Sequence, residues 1–199
     1  MKPLLLVLAT AADLTGTTNY IWNIVKGSTR PHRTTRLMLF LVAAVNMIGA
    51  VSAHARAGTL ILSALFLARG LTLFVLSIKK GIGGTSAIDI VCGIIALLGI
   101  VVWKLSGSGV TALVFAIIAD AVAYVPAVIK TWSKPETESP LLYWLGGVAT
   151  LFAVIHDGFV LSTIFQVYIA FSCVVMLLLI YQDKVKNIWL FKPKEEPPL

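Results

Sequence analysis

The sequence predicts an all-α integral membrane protein with seven transmembrane helices. Hydrophobic residues make up 58% of its 199 residues and charged residues only 13%, whereas soluble proteins contain about 25% charged residues. The chain also divides into seven largely apolar runs near the roughly 20 residues that a spanning helix needs. None of them alternates apolar and polar residues as the strands of a membrane β-barrel do. The runs are residues 3–25, 36–54, 58–78, 86–104, 109–131, 140–156 and 160–181.

The first run has some features of a secretory signal, since Lys2 precedes it and small residues follow a short apolar core. Its apolar character continues to Val25, which is the length of a spanning helix rather than of a signal core. We therefore expect it to remain as the first helix. Cys92 and Cys173 lie inside later apolar runs, where a free cysteine behaves as a small buried hydrophobic residue, so no disulfide or metal site is expected.

The distribution of lysine and arginine predicts the orientation. With the N-terminus outside, twelve of these residues lie near inner helix ends, and only Lys2, Arg56 and Lys104 lie near outer ends. Cytoplasmic loops carry the excess of basic residues, so we expect an outside N-terminus and a cytoplasmic C-terminus, in the plasma (inner) membrane. The net charge of +7 is then a topological signal, not a nucleic-acid-binding face. The inner residues are Lys26, Arg30, Arg33, Arg36, Lys79, Lys80, Lys130, Lys134, Lys184, Lys186, Lys192 and Lys194.

An internal repeat divides the chain into two related parts. Residues 20–35 return in similar form as residues 124–139, an offset of 104 that aligns runs one to three with runs five to seven. The fourth run is unmatched and brings the chain back to the starting side, as a parallel repeat of three helices requires. Identical pairs are Tyr20/Tyr124, Lys26/Lys130 and Pro31/Pro135. The predicted units are residues 1–80 (first three-helix bundle), 81–106 (linker helix), 107–182 (second three-helix bundle) and 183–199 (interfacial cytoplasmic tail).

This three-one-three layout, with a Tyr- and Pro-bearing cytoplasmic corner in each half, resembles the SWEET and PQ-loop group of seven-helix transporters. The resemblance in topology covers nearly the whole chain. Neither copy contains the Pro-Gln dipeptide, because Ala127 follows Pro126, and Trp22 and Asn23 stand at the equivalent positions of the first half. The resemblance implies a small-solute carrier with a central site between the two bundles.

Three ionisable residues lie near the middles of predicted helices: Asp13 in the first, Arg69 in the third and Asp120 in the fifth. These helices all run from outside to inside, and at roughly 1.5 Å per residue the three groups reach a similar depth. Each costs about 2.5–3.5 kcal/mol at a helix centre, so we expect them to face inward, to pair or to meet water, at a depth that allows one shared cavity. They are the first candidates for binding a solute or an ion.

Arg69 can neutralise only one of two ionised aspartates. The second must be protonated, hydrated or matched by a cationic solute. Burial favours the neutral form of a carboxyl and an adjacent guanidinium favours the charged form, so the aspartate farther from Arg69 is the better candidate for a proton-binding group. The sequence leaves open which aspartate that is, and the structural alternative is a buried salt bridge that fixes helix packing.

Other polar residues are additional candidates for solute binding. Tyr20 and Tyr124 lie on the faces of the first and fifth helices that carry the aspartates, and Asn46 and Gln166 lie in the second and seventh. The alternative role is interhelical hydrogen bonding, at about 0.6 kcal/mol per bond. Pro126 removes an intrahelical hydrogen bond and should kink the fifth helix, either as a hinge for alternating access or as a static bend.

No pattern in the sequence indicates an enzyme, a metal site or a cofactor site. His32, His54 and His156 do not combine with other residues at metal-ligand spacing, and no nucleophile elbow, P-loop or HExxH motif is present. An intramembrane aspartyl protease needs two carboxyls within sharing distance, whereas Arg69 at the same depth suits ion pairing better. A retinal protein would need a lysine midway along residues 160–181, which contain none.

We therefore expect a non-enzymatic, alternating-access carrier for a small polar solute, with proton coupling open. Its expected partners are the lipid bilayer and the solute, with protons as an open third, and neither nucleic acid nor a cofactor is expected. The alternative is a non-transporting receptor or assembly protein on the same frame, since fold does not fix function. A carrier should line a solvated cavity with the three charged residues, and a receptor should have a dry, fully paired core.

Overall fold

The protein is described by a computed structural model that covers residues 2–28, 31, 33–81, 87–133, 135 and 140–182. Within these ranges the chain forms α-helices and 3₁₀ turns, without β-strands, so the all-helical prediction is confirmed there. The predictions for the tail, Arg30, His32 and Lys134 lie outside the described residues. The elements are α1 (Lys2–Lys26), α2 (Arg33–Ser52), α3 (Ala57–Lys80), α4 (Ala87–Ser106), α5 (Gly109–Ser133), α6 (Pro140–Asp157), the 3₁₀ turn (Leu161–Thr163) and α7 (Ile164–Ile180).

Length and composition make five of the helical segments candidates for crossing a membrane. They are α1, α2, α3, α6 and the stretch Leu161–Ile180. The other two helices contain shorter apolar segments, Gly93–Ser106 in α4 and Gly109–Val125 in α5. Many large apolar side chains are exposed on the outside of the helices, as they would be against lipid chains. Together these features indicate a membrane-embedded protein.

Glycines in the left-handed conformation end three of the helices. Gly27, Gly107 and Gly158 directly follow α1, α4 and α6 and have φ values of 81°, 64° and 86°. Each donates its N–H to a carbonyl of the preceding turn, at 2.8–3.1 Å. This conformation is readily available only to glycine and closes the last turn of a helix. Pro140 begins α6. Its missing N–H removes no hydrogen bond there, because the first N–H groups of a helix have no partner within it.

The helices pack in a pattern that positions the site. α1 packs mainly on α6 and also on α3, while α2 packs on α3, α4 and α5. α7 packs on α6 and α5, and α4 covers α5. Close approach of α2 and α5 depends on Gly49, where an added Cβ would lie 3.0 Å from Leu113. The main core cluster comprises Val42, Val45, Ala50, Ala55, Ala112, Leu113, Ala116, Ala119, Ala123 and Phe165.

Two hydrogen bonds connect the corner between α1 and α2 to the end of α3. The Arg33 guanidinium donates to the Gly81 carbonyl at 3.1 Å, and the Lys80 ammonium donates to the Val25 carbonyl at 2.6 Å. Pro31, between α1 and α2, is buried. Basic side chains of this corner therefore satisfy carbonyl groups that helix ends leave without an intrahelical donor.

Candidate functional site

Asp13 and Arg69 form an ion pair between α1 and α3. The carboxylate Oδ1 and the guanidinium Nη1 lie 2.7 Å apart. The same Nη1 lies 3.4 Å from the Thr17 hydroxyl, one turn along α1, and the guanidinium stacks 4.9 Å from the centre of the Phe66 ring. The two charged side chains retain 10% and 16% of their exposure, so the charges are largely removed from solvent and depend on each other.

Asp120 sits apart from this pair, on α5, and is 1% exposed. Its Oδ2 accepts a hydrogen bond from the Tyr168 hydroxyl of α7 at 2.9 Å. Ser172, one turn further along α7, interacts with the same tyrosine hydroxyl. The described partners of Asp120 within hydrogen-bonding distance are thus neutral. A buried ionised carboxylate with neutral partners is costly, whereas the protonated acid suits such surroundings.

The two aspartates belong to one electrostatic neighbourhood. Arg69 lies within electrostatic range of Asp120, and Cys173 lies within range of Asp13, Arg69 and Asp120. The side chains come from α1, α3, α5 and α7, so these four helices present their ionisable groups to a common region. The structure therefore brings together the three charged residues that the sequence singled out, and it distinguishes them by their partners.

The charges of this region do not follow the internal repeat. At the offset of 104, Arg69 corresponds to Cys173 and Asp120 corresponds to Gly16. Gly16 is buried against α6, where an added Cβ would lie 3.4 Å from Leu145. One half therefore carries an ion pair and the other a carboxyl beside a tyrosine, so the two halves have different chemistry at equivalent positions.

The two repeated tyrosines also have different surroundings. The Tyr20 hydroxyl accepts a hydrogen bond from Arg36, whose guanidinium lies 5.1 Å from the tyrosine ring. Tyr124 instead lies within electrostatic range of Asp120 and Tyr143. Tyr20 therefore belongs to the basic corner between α1 and α2, and Tyr124 borders the charged region.

The predicted hinge lies in the last third of α5. The helix is continuous from Gly109 to Ser133 and so passes through position 126. The side chain of Pro126 lies outside the described residues, so the hinge and the static bend both stay predictions.

Asn46 and Gln166 join a second polar cluster, centred on Ser63 of α3. The Ser63 hydroxyl accepts from the Asn46 amide at 3.1 Å and from the Gln166 amide at 3.2 Å. The Gln166 amide also approaches the Thr59 carbonyl at 3.5 Å. These contacts tie α2, α3 and α7 together, and they correspond to the interhelical hydrogen bonding that was the alternative to solute binding.

Asp157, at the end of α6, is a buried acid that the sequence analysis did not single out. It is 0% exposed, and its carboxylate accepts from the backbone N–H groups of Gly58 and Thr59 at 3.0 and 2.6 Å. The Thr59 hydroxyl adds a third bond at 2.6 Å. Arg56 donates to the Asp157 carbonyl. The carboxylate thereby accepts hydrogen bonds from N–H groups at the start of α3 that have no partner within their own helix.

A sequence signal for this contact exists. Acidic residues are unfavourable in the last turn of their own helix because the negative end of the helix dipole lies there. Asp157 occupies that position directly before the terminating Gly158. An acid placed against its own helix dipole indicates that it serves another helix.

In the described part of the chain, one histidine contacts an acidic side chain. The His156 Nδ1 lies 2.7 Å from Oδ1 of Asp157. Among the described residues no group of three or more His, Cys, Asp or Glu side chains could hold a metal ion.

No family model, curated protein or solved structure matches this chain. The function of the protein must therefore be inferred from the geometry of its own residues.

Proposed function

We propose that this protein is an alternating-access membrane carrier for a small polar solute, and that Asp120 binds and releases a proton during its cycle. One observation carries the proposal. Arg69 is engaged by Asp13 at 2.7 Å, while Asp120 is buried against the neutral hydroxyl of Tyr168 at 2.9 Å. The aspartate farther from the arginine is thus Asp120, and a carboxyl in such surroundings is suited to exist as the neutral acid.

The architecture that we propose is two parallel three-helix bundles joined by α4, with all seven helices crossing the membrane. The helix contacts support this layout, because three contacts of one half have a counterpart related by the repeat. α1–α6 matches α5–α2, α2–α3 matches α6–α7, and α1–α3 matches α5–α7. The starts of α3 and of the 3₁₀ turn before α7 agree as well, since Arg56 and Val160 are both extended N-cap residues and are separated by the repeat offset.

The proposed orientation in the plasma (inner) membrane places the N-terminus outside and the C-terminus in the cytoplasm. The twelve-to-three distribution of basic residues supports it. The solute would meet the charged region between the bundles, where α1 and α3 of one bundle and α5 and α7 of the other present their ionisable groups. Thr17, Tyr124 and Tyr168 supply hydroxyls around these charges.

Asp157 is suited to close the outer end of the interface between the bundles. It belongs to α6 of the second bundle and holds the start of α3 in the first, through bonds to Gly58 and Thr59. When the protein opens to the outside, these hydrogen bonds must break unless the end of α6 and the start of α3 move as one unit. In the proposed cycle, the contacts of Asp157 are therefore made in the state closed to the outside and released in the open state.

The experiment begins with solute-dependent thermal stabilisation of the purified protein across a panel of small metabolites. Solutes that raise the melting temperature are then tested for uptake into proteoliposomes with and without a pH gradient. We expect a polar solute to stabilise the protein and to be taken up in response to the gradient. A solute that binds but is never translocated, under any gradient, would argue against a carrier.

The second candidate, a non-transporting receptor or assembly protein, is favoured by the close pairing of the core. Among the described residues, one buried side-chain oxygen or nitrogen atom, Asn46 Oδ1, lacks a hydrogen-bond partner, and the others have one. Cysteine accessibility separates the two functions. In a variant without native cysteines, Thr17→Cys should react with a water-soluble reagent if a solvated cavity reaches the ion pair. No reaction in the membrane, together with no stabilising solute, would favour the receptor.

A further inference from the structure

The ion pair between Asp13 and Arg69 uses one atom of each charged group. Oδ1 of Asp13 lies 2.7 Å from Nη1 of Arg69, and the same Nη1 lies 3.4 Å from the Thr17 hydroxyl. Arginine and a carboxylate frequently pair through two parallel hydrogen bonds, whereas a single bond joins these two groups. Among the described residues, Oδ2 of Asp13 and the Nη2 and Nε groups of Arg69 have no hydrogen-bond partner.

These unused groups lie close enough together to meet one small ligand. Neighbouring oxygens of a carboxylate and neighbouring nitrogens of a guanidinium are about 2.3 Å apart. With 2.7 Å between Oδ1 and Nη1, Oδ2 of Asp13 and Nη2 of Arg69 are therefore within about 7 Å of each other. The two side chains keep 10% and 16% of their exposure, so packing does not seal the pair.

The unused groups are opposite in charge, which defines the ligand that suits them. Oδ2 of Asp13 can accept from an ammonium, and Nη2 and Nε of Arg69 can donate in parallel to a carboxylate. The Phe66 ring lies over the guanidinium, 4.9 Å from its carbon, but the N–H groups point outward in the plane of the guanidinium and stay available. An α-amino acid carries both complementary charges on neighbouring carbon atoms.

The charge balance of the region favours such a zwitterion over a singly charged solute. Asp13 and Arg69 cancel each other, and in the proposed function Asp120 is the neutral acid beside Tyr168. A solute with net charge would bring an uncompensated charge into a largely dry region, which is costly. A zwitterion adds no net charge, and each of its charged groups meets an opposite charge.

We propose that the solute is an α-amino acid, with its carboxylate bound by Nη2 and Nε of Arg69 and its ammonium bound by Oδ2 of Asp13. The inference rests on the proposed function, because it places the solute at the charged region between the bundles. It assigns the ion pair to recognition of the solute, and it leaves proton binding to Asp120.

The test is thermal unfolding of the purified full-length protein with each of the standard α-amino acids. The amino acid that raises the melting temperature most is then compared with three analogues: its decarboxylated amine, its deaminated acid and its methyl ester. Each analogue lacks one of the two charges, so we expect each to bind about tenfold or more weakly. Stabilisation by the amine or the acid alone, equal to that by the amino acid, would overturn the proposal.

A variant of the pair tests the role of the guanidinium. Arg69→Lys keeps a cation for Asp13 but removes the planar fork that holds a carboxylate, so the decarboxylated amine should then bind as tightly as the amino acid. Lys104→Gln, at an exposed position of α4, is the control and should keep the preference of the wild type. An unchanged preference in Arg69→Lys would overturn the assignment. If this variant does not fold, the comparison of analogues on the wild type decides alone.

The inference and the carrier proposal fail separately. If no α-amino acid stabilises the protein while another polar solute does and is taken up, the amino-acid inference is wrong and the carrier stands. If an amino acid binds with the expected preference but is never translocated under any gradient, the ligand class stands and the carrier is wrong.

Discussion

The Asp157 carboxylate, at the end of α6, accepts a hydrogen bond from the backbone N–H of Thr59, in the first turn of α3, at 2.6 Å. The first N–H groups of a helix have no partner within it, and Arg56, at the N-cap of α3, makes no side-chain capping bond. Asp157 supplies the missing acceptor from another helix. One carboxylate thereby fixes the relative position of two helices that are distant in sequence.

Replacement of this carboxylate should destabilise the protein. Asp157→Ala leaves the N–H groups of Gly58 and Thr59 and the Thr59 hydroxyl without their acceptor, and we expect a loss of about 2–4 kcal/mol in the free energy of unfolding. Asp157→Asn should lose less, because its amide oxygen still accepts. Denaturant unfolding in mixed micelles measures both, with Lys104→Ala as an exposed control that should be neutral. Wild-type stability of Asp157→Ala would contradict the capping role.

Gly58 should be intolerant of a side chain. A Cβ added there would lie 2.9 Å from Oδ1 of Asp157, so Gly58→Ala must displace the carboxylate from its hydrogen bonds. We expect a loss of about 1–3 kcal/mol, although alanine is the better helix former by about 1 kcal/mol. Gly146→Ala is the matched control, because its nearest neighbour, Sγ of Cys173, would lie 3.6 Å away. Equal stability of the two variants would contradict this prediction.

The sequence predicts the helices better than the site, for a physical reason. Helix positions follow from local patterns, such as apolar runs and terminating glycines, and the observed ends lie within a few residues of those expected. The contacts of Asp157 are set by tertiary packing, which local sequence patterns do not specify. Tyr20 illustrates the same limit, since helical spacing places it on the Asp13 face while its hydroxyl contacts Arg36.

The choice between the two aspartates also depends on packing. Depth along the helices is similar for Asp13 and Asp120, so the sequence cannot say which one meets Arg69. The contact of α1 with α3 brings Asp13 to the arginine, and the contact of α5 with α7 brings Asp120 to Tyr168. Residue types at a given depth can therefore be predicted, and their pairing requires the fold.

The ion pair should show strong coupling between its partners. Arg69→Gln leaves Asp13 without its cation in a largely dry region, and we expect it to cost about 2–4 kcal/mol, less than for a fully buried pair because both groups retain some exposure. Asp13→Asn should cost a similar amount. The double variant should be more stable than the sum of the single losses predicts. Additive losses in denaturant unfolding would mean that the two groups do not depend on each other.

Asp120→Asn should separate stability from proton binding. An asparagine has nearly the shape of the protonated acid, and its amide oxygen can still accept from Tyr168, so we expect a stability within about 1 kcal/mol of the wild type. The variant cannot take up or release a proton at this position. The stabilising effect of a bound solute, measured by thermal unfolding between acidic and neutral pH, should therefore lose its dependence on pH. Asp13→Asn is the matched control, since it removes the carboxylate that Arg69 engages; it should be less stable but should keep the pH dependence. If Asp120→Asn keeps the pH dependence of the wild type while Asp13→Asn loses it, the roles assigned to the two aspartates are reversed. If both variants keep the pH dependence, neither aspartate is the proton-binding group.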